Sequence, residues 1–549
     1  MSALTRVRHS RAALAHSLAP ATWRASFAVR PADAIFAPAI KVGVAASLVL
    51  VGGGLMGHEQ LAGMASLGAL CSAFGRYQPY PRLARVLVLV AAALLLAAGA
   101  GAVLGGAGVP IWLQIAVLSL IAGAAAHLFS ACGITGPGAV ILVFAASAGT
   151  GFTHTMGTVP QVLGAVAVGA VAGWVVAMAP VLVVPMGPAR LAVARAIAAA
   201  VRLGTADAGP HQGPAAAALR RAREAVALSA GPLRAGSRRS RALQREAAVL
   251  NQLLDETSAA EALHGAARTA ALQRLSRHEA MLRKNRGVPE LAGPKLPAPD
   301  SGWMPALQGL LAQARTGLRS RASGSQALRM AAASSLSGWA AVGLGLEHPL
   351  WASMGAVAAL QGLNYGTTVQ RSIQRLLGNV AGAVVAMVLL SFALGFWPSV
   401  GLVVAFQVMA ELLVLKSYTL TTIVITPMAL IMTGLGSHLG PDAAFSRVAD
   451  TLVGVVVGVL VAAASISLSD RGHLKSGSSA GPAPGFQERH RQNGCPAGSR
   501  KTRNVVPGWN PAFVPPSPST ADSPASRSST TRSRCICCGG SCPGHAGAR

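Results

Sequence analysis

Two separate blocks of long apolar sequence constrain this chain more than anything else in it. A run of about 20 apolar residues matches the hydrocarbon thickness of a bilayer. Such windows stand at 37–57, 61–75, 86–108, 110–130, 136–151 and 161–184, and again at 327–346, 350–365, 376–396, 398–415, 419–436 and 446–468. Several, among them LAGMASLGALCSAFG and LWASMGAVAALQGLN, are short for a span, so re-entrant segments fit the pattern as well. The expectation is an all-α polytopic membrane protein of about twelve transmembrane helices. Composition agrees: 52% of the 549 residues are hydrophobic and 12% charged, far too apolar for an ordinary soluble protein.

The charges then give the chain a direction. Its 46 Lys and Arg against 18 Asp and Glu leave a formal charge of +28, which in a membrane protein reads as the positive-inside bias and contact with anionic lipid. No basic platform interleaved with aromatics is present to read bases, so nucleic acid is not an expected partner. With the N-terminal Arg6, Arg8, Arg11, Arg24 and Arg30 inside, six passes return the chain to the same side. Arg76, Arg82, Arg85, Arg371, Arg375, Lys416 and Arg471 then also fall inside, while the outside turns carry His58, Glu59, Glu347, His348 and a single arginine, Arg447. This predicts a multi-pass protein of the plasma (inner) membrane with both termini cytoplasmic. No cleavable signal peptide is evident at the start.

The blocks resemble each other. A shift of 290 places His58 on His348, Met64 on Met354, Leu70 on Leu360 and Arg85 on Arg375, and near the block ends a shift of 285 places Gly169 and Gly173 on Gly454 and Gly458. With an even number of passes in each block, the pattern reads as two parallel six-helix repeats. Five regions follow: a basic cytoplasmic N-terminus at 1–35, membrane repeat 1 at 36–185, a cytoplasmic helical insertion at 186–326, membrane repeat 2 at 327–470, and a disordered basic tail rich in Pro, Ser and Cys at 471–549. The insertion shows leucine and alanine stripes with charges on the other faces, broken by Pro and Gly clusters. In the tail, Cys535 with Cys538 and Cys542 with His545 have zinc-ligand spacing, but they crowd into one short end with nothing around them to orient a ligand set. We expect no metal and no cofactor, and we read the tail as disordered or as the product of a misread frame.

No phosphate-binding GxxxxGKS/T loop, HExxH or GxSxG elbow is found, so neither an ATP-driven pump nor an enzyme is expected. The segment HPLWASMGAVAALQGLNYGTTVQRSIQRLLGNVAG, with FQVMAELLVLKSYTLTTIVITPMALI and RVADTLVGVVVG, instead resembles the fusaric acid resistance protein family, in the aromatic acid exporter superfamily. The matching positions are Trp351, Gln361, Thr367, Arg371, Arg375, Gly378, Gly382, Glu411, Tyr418, Thr426, Pro427, Arg447, Asp450 and Gly454. Asn379 and Ser417 depart from the pairs usual there, and block one matches more weakly, through GRYQPYPRLARVLV. The resemblance implies two six-helix halves around a cytoplasmic insertion, export of aromatic or other organic carboxylates, and by analogy a homodimer. Because the superfamily includes plant malate channels, it equally allows a passive organic-anion channel. A non-transporting membrane scaffold is the third reading.

A carboxylate loses its water in a bilayer, and fixed cations must offset that loss. Arg371 and Arg375 share a helix face, and with Arg82 and Arg85 from the other repeat they make an expected basic ring at the cytoplasmic mouth, Tyr418 belonging to the same substrate pathway. The alternative is that these arginines anchor helices at the headgroups. Glu411, well inside an apolar helix, is the expected proton-coupling residue, with a neutralised salt bridge to Lys416 or Arg371 as its structural alternative. Gly378 with Gly382, and Gly454 with Gly458, are expected helix-packing pairs.

Overall fold

The computed structural model describes residues 20–27, 36–134, 136–205, 212–231, 237–284, 310–362, 365–392, 394–435 and 442–465. These lie in the first of two units, Met1–Glu488; the second, Arg489–Arg549, and with it the cysteine-rich tail, lies outside the described residues. Among the described residues every regular element is helical. After a short α1 (Pro20–Ser26) come α2 (Phe36–Leu55), α3 (Glu59–Ala69), α4 (Tyr80–Gly106), α5 (Ile111–Cys132), α6 (Val140–Phe152) and α7 (Val159–Met178). Then follow α8 (Gly187–Thr205), α9 (Gln212–Ala230), α10 (Arg238–Ala262), α11 (Gly265–Arg283) and α12 (Leu310–Leu318). The last six are α13 (Arg321–Gly343), α14 (Pro349–Ala359), α15 (Tyr365–Ser391), α16 (Phe396–Leu413), α17 (Tyr418–Gly434) and α18 (Asp442–Ala464).

Twelve helices therefore occupy the twelve expected windows. Among the described residues seven are long and apolar enough to cross a membrane unaided: α2, α4, α5, α15, α16, α18, and α7 with its flanking turns. The others fall short for two reasons. At 1.5 Å per residue, α3, α6 and α14 reach only about 15–20 Å and α17 about 25 Å, against a hydrocarbon core of about 30 Å. In contrast α13 is long enough, but its first half, RASGSQALR, is polar.

Exposed apolar stripes mark the lipid face. On α2 they run Phe36, Ile40, Val44, Leu48, Val51 and Leu55, and on α18 Phe445, Leu452, Val456 and Leu460, at the spacing of one helix side. α3 and α14 are the opposite case, because almost every side chain on them is buried. Their Ala, Gly, Ser and Met residues let neighbours approach from all sides. A Cβ on Gly169 of α7 would collide with the Ala65 carbonyl of α3, and one on Gly454 of α18 would stand 2.5 Å from the Ala352 carbonyl oxygen of α14. Likewise a Cβ on Gly378 or Gly382 of α15 would stand 2.8 Å from the carbonyl oxygen of Thr419 or Ile423 on α17.

The helix neighbours recur. In the first half α3 packs on α2 and α7, and α4 on α6 and α7; in the second α14 packs on α13 and α18, and α15 on α17 and α18. The halves meet where α13 packs on α5 and α2 on α16.

Helices α8 to α11 enclose a core of their own, built from Val193, Ile197, Val226, Leu250, Leu254 and Leu275. Arg190 with Glu246 and Arg223 with Asp255 pair around it at 2.5 and 2.9 Å. Ser237 caps α10 by accepting the Ser240 N–H at 3.0 Å. This layer is tied to the membrane helices through the segment between α3 and α4. Tyr77, the one described non-glycine residue with a left-handed backbone (φ 62°), lies under Arg195 at 4.1 Å, and Arg82 pairs with Glu224 at 3.2 Å.

Candidate functional site

The candidate site is a polar cluster inside the second half, where α15, α17 and α18 converge on the N-terminal end of α14. Arg371 and Arg375 stand one turn apart on α15, and Tyr418 opens α17 beneath them. The Arg375 guanidinium donates to the Tyr418 hydroxyl at 3.4 Å, while the Arg371 guanidinium carbon lies 4.9 Å from the centre of the Tyr418 ring. Tyr418 is thus clasped at its edge and its face by two cations. One turn further along α15, Asn379 donates to the Thr451 hydroxyl of α18 and accepts from the Thr426 hydroxyl of α17 at 2.6 Å. Buried polar groups from three helices are fixed in this way, and the departure at Asn379 noted in the sequence is what joins them.

α18 adds a third cation. Arg447 is buried, its guanidinium 4.6 Å from the Trp351 ring, which on another side stacks on His348 at 4.3 Å. Asp450, one turn on, is wholly buried. Among the described residues the Nε atoms of Arg375 and Arg447 have no acceptor. Three guanidinium groups and one carboxylate in a low-dielectric interior leave a net positive site, with planar donors suited to a carboxylate.

Of the five expected pathway residues, Arg371, Arg375 and Tyr418 come together and Arg82 and Arg85 do not. Arg82 is held by Glu224 of α9, and Arg85 lies on the exposed side of α4. The basic ring is therefore corrected, and the reason lies in register. The shift of 290 holds for α3 and α14, but ten residues separate α3 from α4 and only five separate α14 from α15, so α4 and α15 superpose at 285 from end to end. Arg375 then falls on Val90, and it sits ten residues into its helix whereas Arg85 sits five into its own.

Glu411 is buried near the end of α16, but its partner is neither Lys416 nor Arg371. It forms an ion pair with Arg76, from the segment that follows α3, and Lys41 of α2 interacts electrostatically with both. Carboxylate and cations come from opposite halves, which makes the pair a clasp between them. Beside it, Val42, Ser66, Val403, Gln407 and Met432 line a small crevice between the halves. Sequence reasoning did not single out Lys41, although a lone lysine five residues into the apolar α2 is a visible signal. It held Asp450 only as a family position, and it read Arg447, also a family position, as the single arginine of the outside turns, whereas that residue is buried on α18. Among the described residues no cluster of His, Cys, Asp and Glu has metal-binding geometry.

Residues 333–461, which span about the second half of α13, most of α18 and everything between, match the family model described as fusaric acid resistance protein-like. The chain is also 25% identical over 462 residues, 77% of its own length and 71% of the relative's, to the uncharacterized membrane protein YvaC of Bacillus subtilis (strain 168). No solved structure matches.

Proposed function

From a chain whose second membrane half is a fusaric acid resistance protein-like domain, we propose secondary-active, proton-driven export of aromatic or other organic carboxylates across the plasma membrane. One observation carries the reading: within the matched domain Arg371 and Arg375 clasp Tyr418, and Arg447, which interacts electrostatically with Arg375, lies over the Trp351 ring further along the same helices. Buried cations in a membrane helix bundle mark an ion or substrate pathway. A guanidinium pair offers two parallel hydrogen bonds to a carboxylate, and the two aromatic rings offer faces to an aromatic body.

On this reading the two sets of six helices are parallel repeats with six passes each, and α8 to α12 form a cytoplasmic layer. Supporting it, the main pairings within the first half have counterparts in the second, and the two largest contacts between the halves, α13 on α5 and α2 on α16, correspond. The pathway residues are Arg371, Arg375 and Tyr418, with Arg447 added and Arg82 and Arg85 withdrawn. Glu411, compensated by Arg76 and Lys41, fits the structural role better than the coupling one.

The test is uptake of a labelled hydroxybenzoate into proteoliposomes with and without an imposed pH gradient. Wild type should accumulate it against its gradient, and Arg375→Ala should lower the initial rate by about a hundredfold, the worth of a lost charge-assisted pair. Downhill flux alone would make the protein a channel, and no flux across several carboxylates would leave the scaffold.

A further inference from the structure

The anion site leaves one buried group unused. Asp450 lies eight residues into α18, about 12 Å from its first residue, and its exposure is 0%. Among the described residues no donor reaches either of its carboxylate oxygens. The adjacent Thr451 hydroxyl accepts from Asn379 and makes no bond to Asp450, and Gly355 of α14 packs against this turn.

The charged and titratable groups that face it are few. On its own helix there is Arg447, one turn earlier, and at the N-terminus of α14 there are His348 and the exposed Glu347, which accepts from Ser446 at 3.1 Å. α15 brings Arg375, with Arg371 and Tyr418 a turn beyond it, while the charges of α13, Arg321 and Arg329, sit in its first three turns. Among the described residues Arg447 and Glu347 are the ones that interact electrostatically with Asp450. Arg447 makes no ion pair with it in this conformation, its guanidinium lying over Trp351 instead.

An ionised carboxylate without a donor is the costliest side chain to keep in a bilayer interior, and a proton is the smallest ligand that removes that cost. We propose that Asp450 is the coupling-ion site of this protein and that the ion is a proton, received from water at the Glu347–Ser446 end and held as a neutral acid while Arg447 rests on Trp351. This deepens the export reading and rests on it. Binding forms one O–H bond on an Asp450 oxygen at the expense of a hydronium ion, with no other reactant. Release reverses the step. It is favoured when Arg447 leaves the ring and pairs with Asp450, its i+3 neighbour on the same helix face. With Arg447 on the Trp351 ring that face is closed to an aromatic substrate, and with Arg447 on Asp450 it is open, so proton and substrate occupancy exclude each other through one side chain, as export against an inward proton gradient requires.

Two measurements on the full-length protein in lipid separate this inference from the reading beneath it. In proteoliposomes, Asp450→Asn should lose gradient-driven hydroxybenzoate accumulation by at least about tenfold more than it loses counterflow, with Asp450→Glu restoring part of the drive. Glu411→Gln should change neither. Accumulation by Asp450→Asn equal to wild type, or drive by a sodium gradient in place of protons, overturns the proposal. In infrared difference spectra between alkaline and acid buffer, wild type should show a protonated-carboxyl band that Asp450→Asn lacks. A band unchanged in Asp450→Asn overturns the proposal whatever the flux data show. If wild type moves no carboxylate at all, the export reading falls and the infrared result alone decides whether Asp450 binds a proton.

Discussion

The two membrane halves share a packing plan and differ in what they bury. α4 and α15 each run 27 residues. Laid one on the other, they put Arg371, Arg375 and Asn379 of the second half on Val86, Val90 and Leu94 of the first. Laying Gly454 and Gly458 on Gly169 and Gly173 puts Arg447, Asp450 and Thr451 on Val162, Ala165 and Val166. Of these six first-half positions all but Ala165 are fully buried in the main apolar core. One half has therefore kept a dry seam where the other has installed three cations, an acid and an amide on an equivalent frame. The frame itself is set by small residues at α3–α7 and α14–α18, where a Cβ on either helix would meet the neighbour's backbone. Scaffold and site are separable, because glycines and alanines hold the helices while a handful of polar substitutions give one half its chemistry.

That separation is open to a direct exchange. Val90→Arg should be the most damaging change, since it buries an uncompensated guanidinium in a seam with no acceptor, at a cost of several kcal/mol. Loss of the monodisperse peak in detergent chromatography would show it. The reciprocal Arg375→Val should leave that peak in place, because replacing a buried charge by a hydrophobe is often neutral to stability, while flux disappears. If both variants fold equally well, the first half is not a dry counterpart of the second.

The clasp between the halves comes next. Glu411→Gln strands Arg76 in a buried position, and breaking a buried pair from one side costs about 3–5 kcal/mol. We expect a marked drop in Tm, partly recovered in the double variant Glu411→Gln, Arg76→Met, with the pH dependence of flux unaltered. A shift in that pH profile would return the coupling role to Glu411.

The smallest effect concerns the turn before α14. Burial, aided by Arg447 and opposed by Glu347, holds the His348 imidazole below its ordinary pKa. The folded state then binds this proton less readily than the unfolded chain, so its share of stability is whole above the unfolded pKa and is lost as pH falls below it. Tm should decline on acidification, and His348→Phe, which keeps a ring on Trp351, should make the decline shallower.

Much of the scaffold was legible because its signal is local. Apolar windows located twelve helices, missing most where a polar turn opens the helix, as at α15, which starts eleven residues before its window, and Arg371 with Arg375 declared a shared face by spacing alone. What hydropathy could not show is which windows end early, since α3 and α14 stop at 11 residues and the turn after each decides the register of everything that follows. The Arg85 pairing failed for that reason. Long-range pairs were invisible for another: Arg76 and Glu411 are 335 residues apart, and Arg82 and Glu224 are 142. No periodicity links such residues, and only tertiary packing brings them into contact. Asp450 was readable as the lone acid beyond the first turn of α18, yet its want of a donor is a property of its neighbours.

The short segment between α3 and α4 has a thermodynamic consequence. Within a few residues it and the first turn of α4 engage Glu411 of α16 through Arg76, Arg195 of α8 through Tyr77, and Glu224 of α9 through Arg82. Three bodies meet on one stretch of backbone, and it carries the left-handed residue Tyr77. Whatever free energy couples α8 or α9 to α16 through this stretch acts equally in both directions, so a change in the layer that favours one arrangement of α16 is favoured by that arrangement in turn. In this sense the helices α8 to α11 stand to the membrane halves as a bound ligand would.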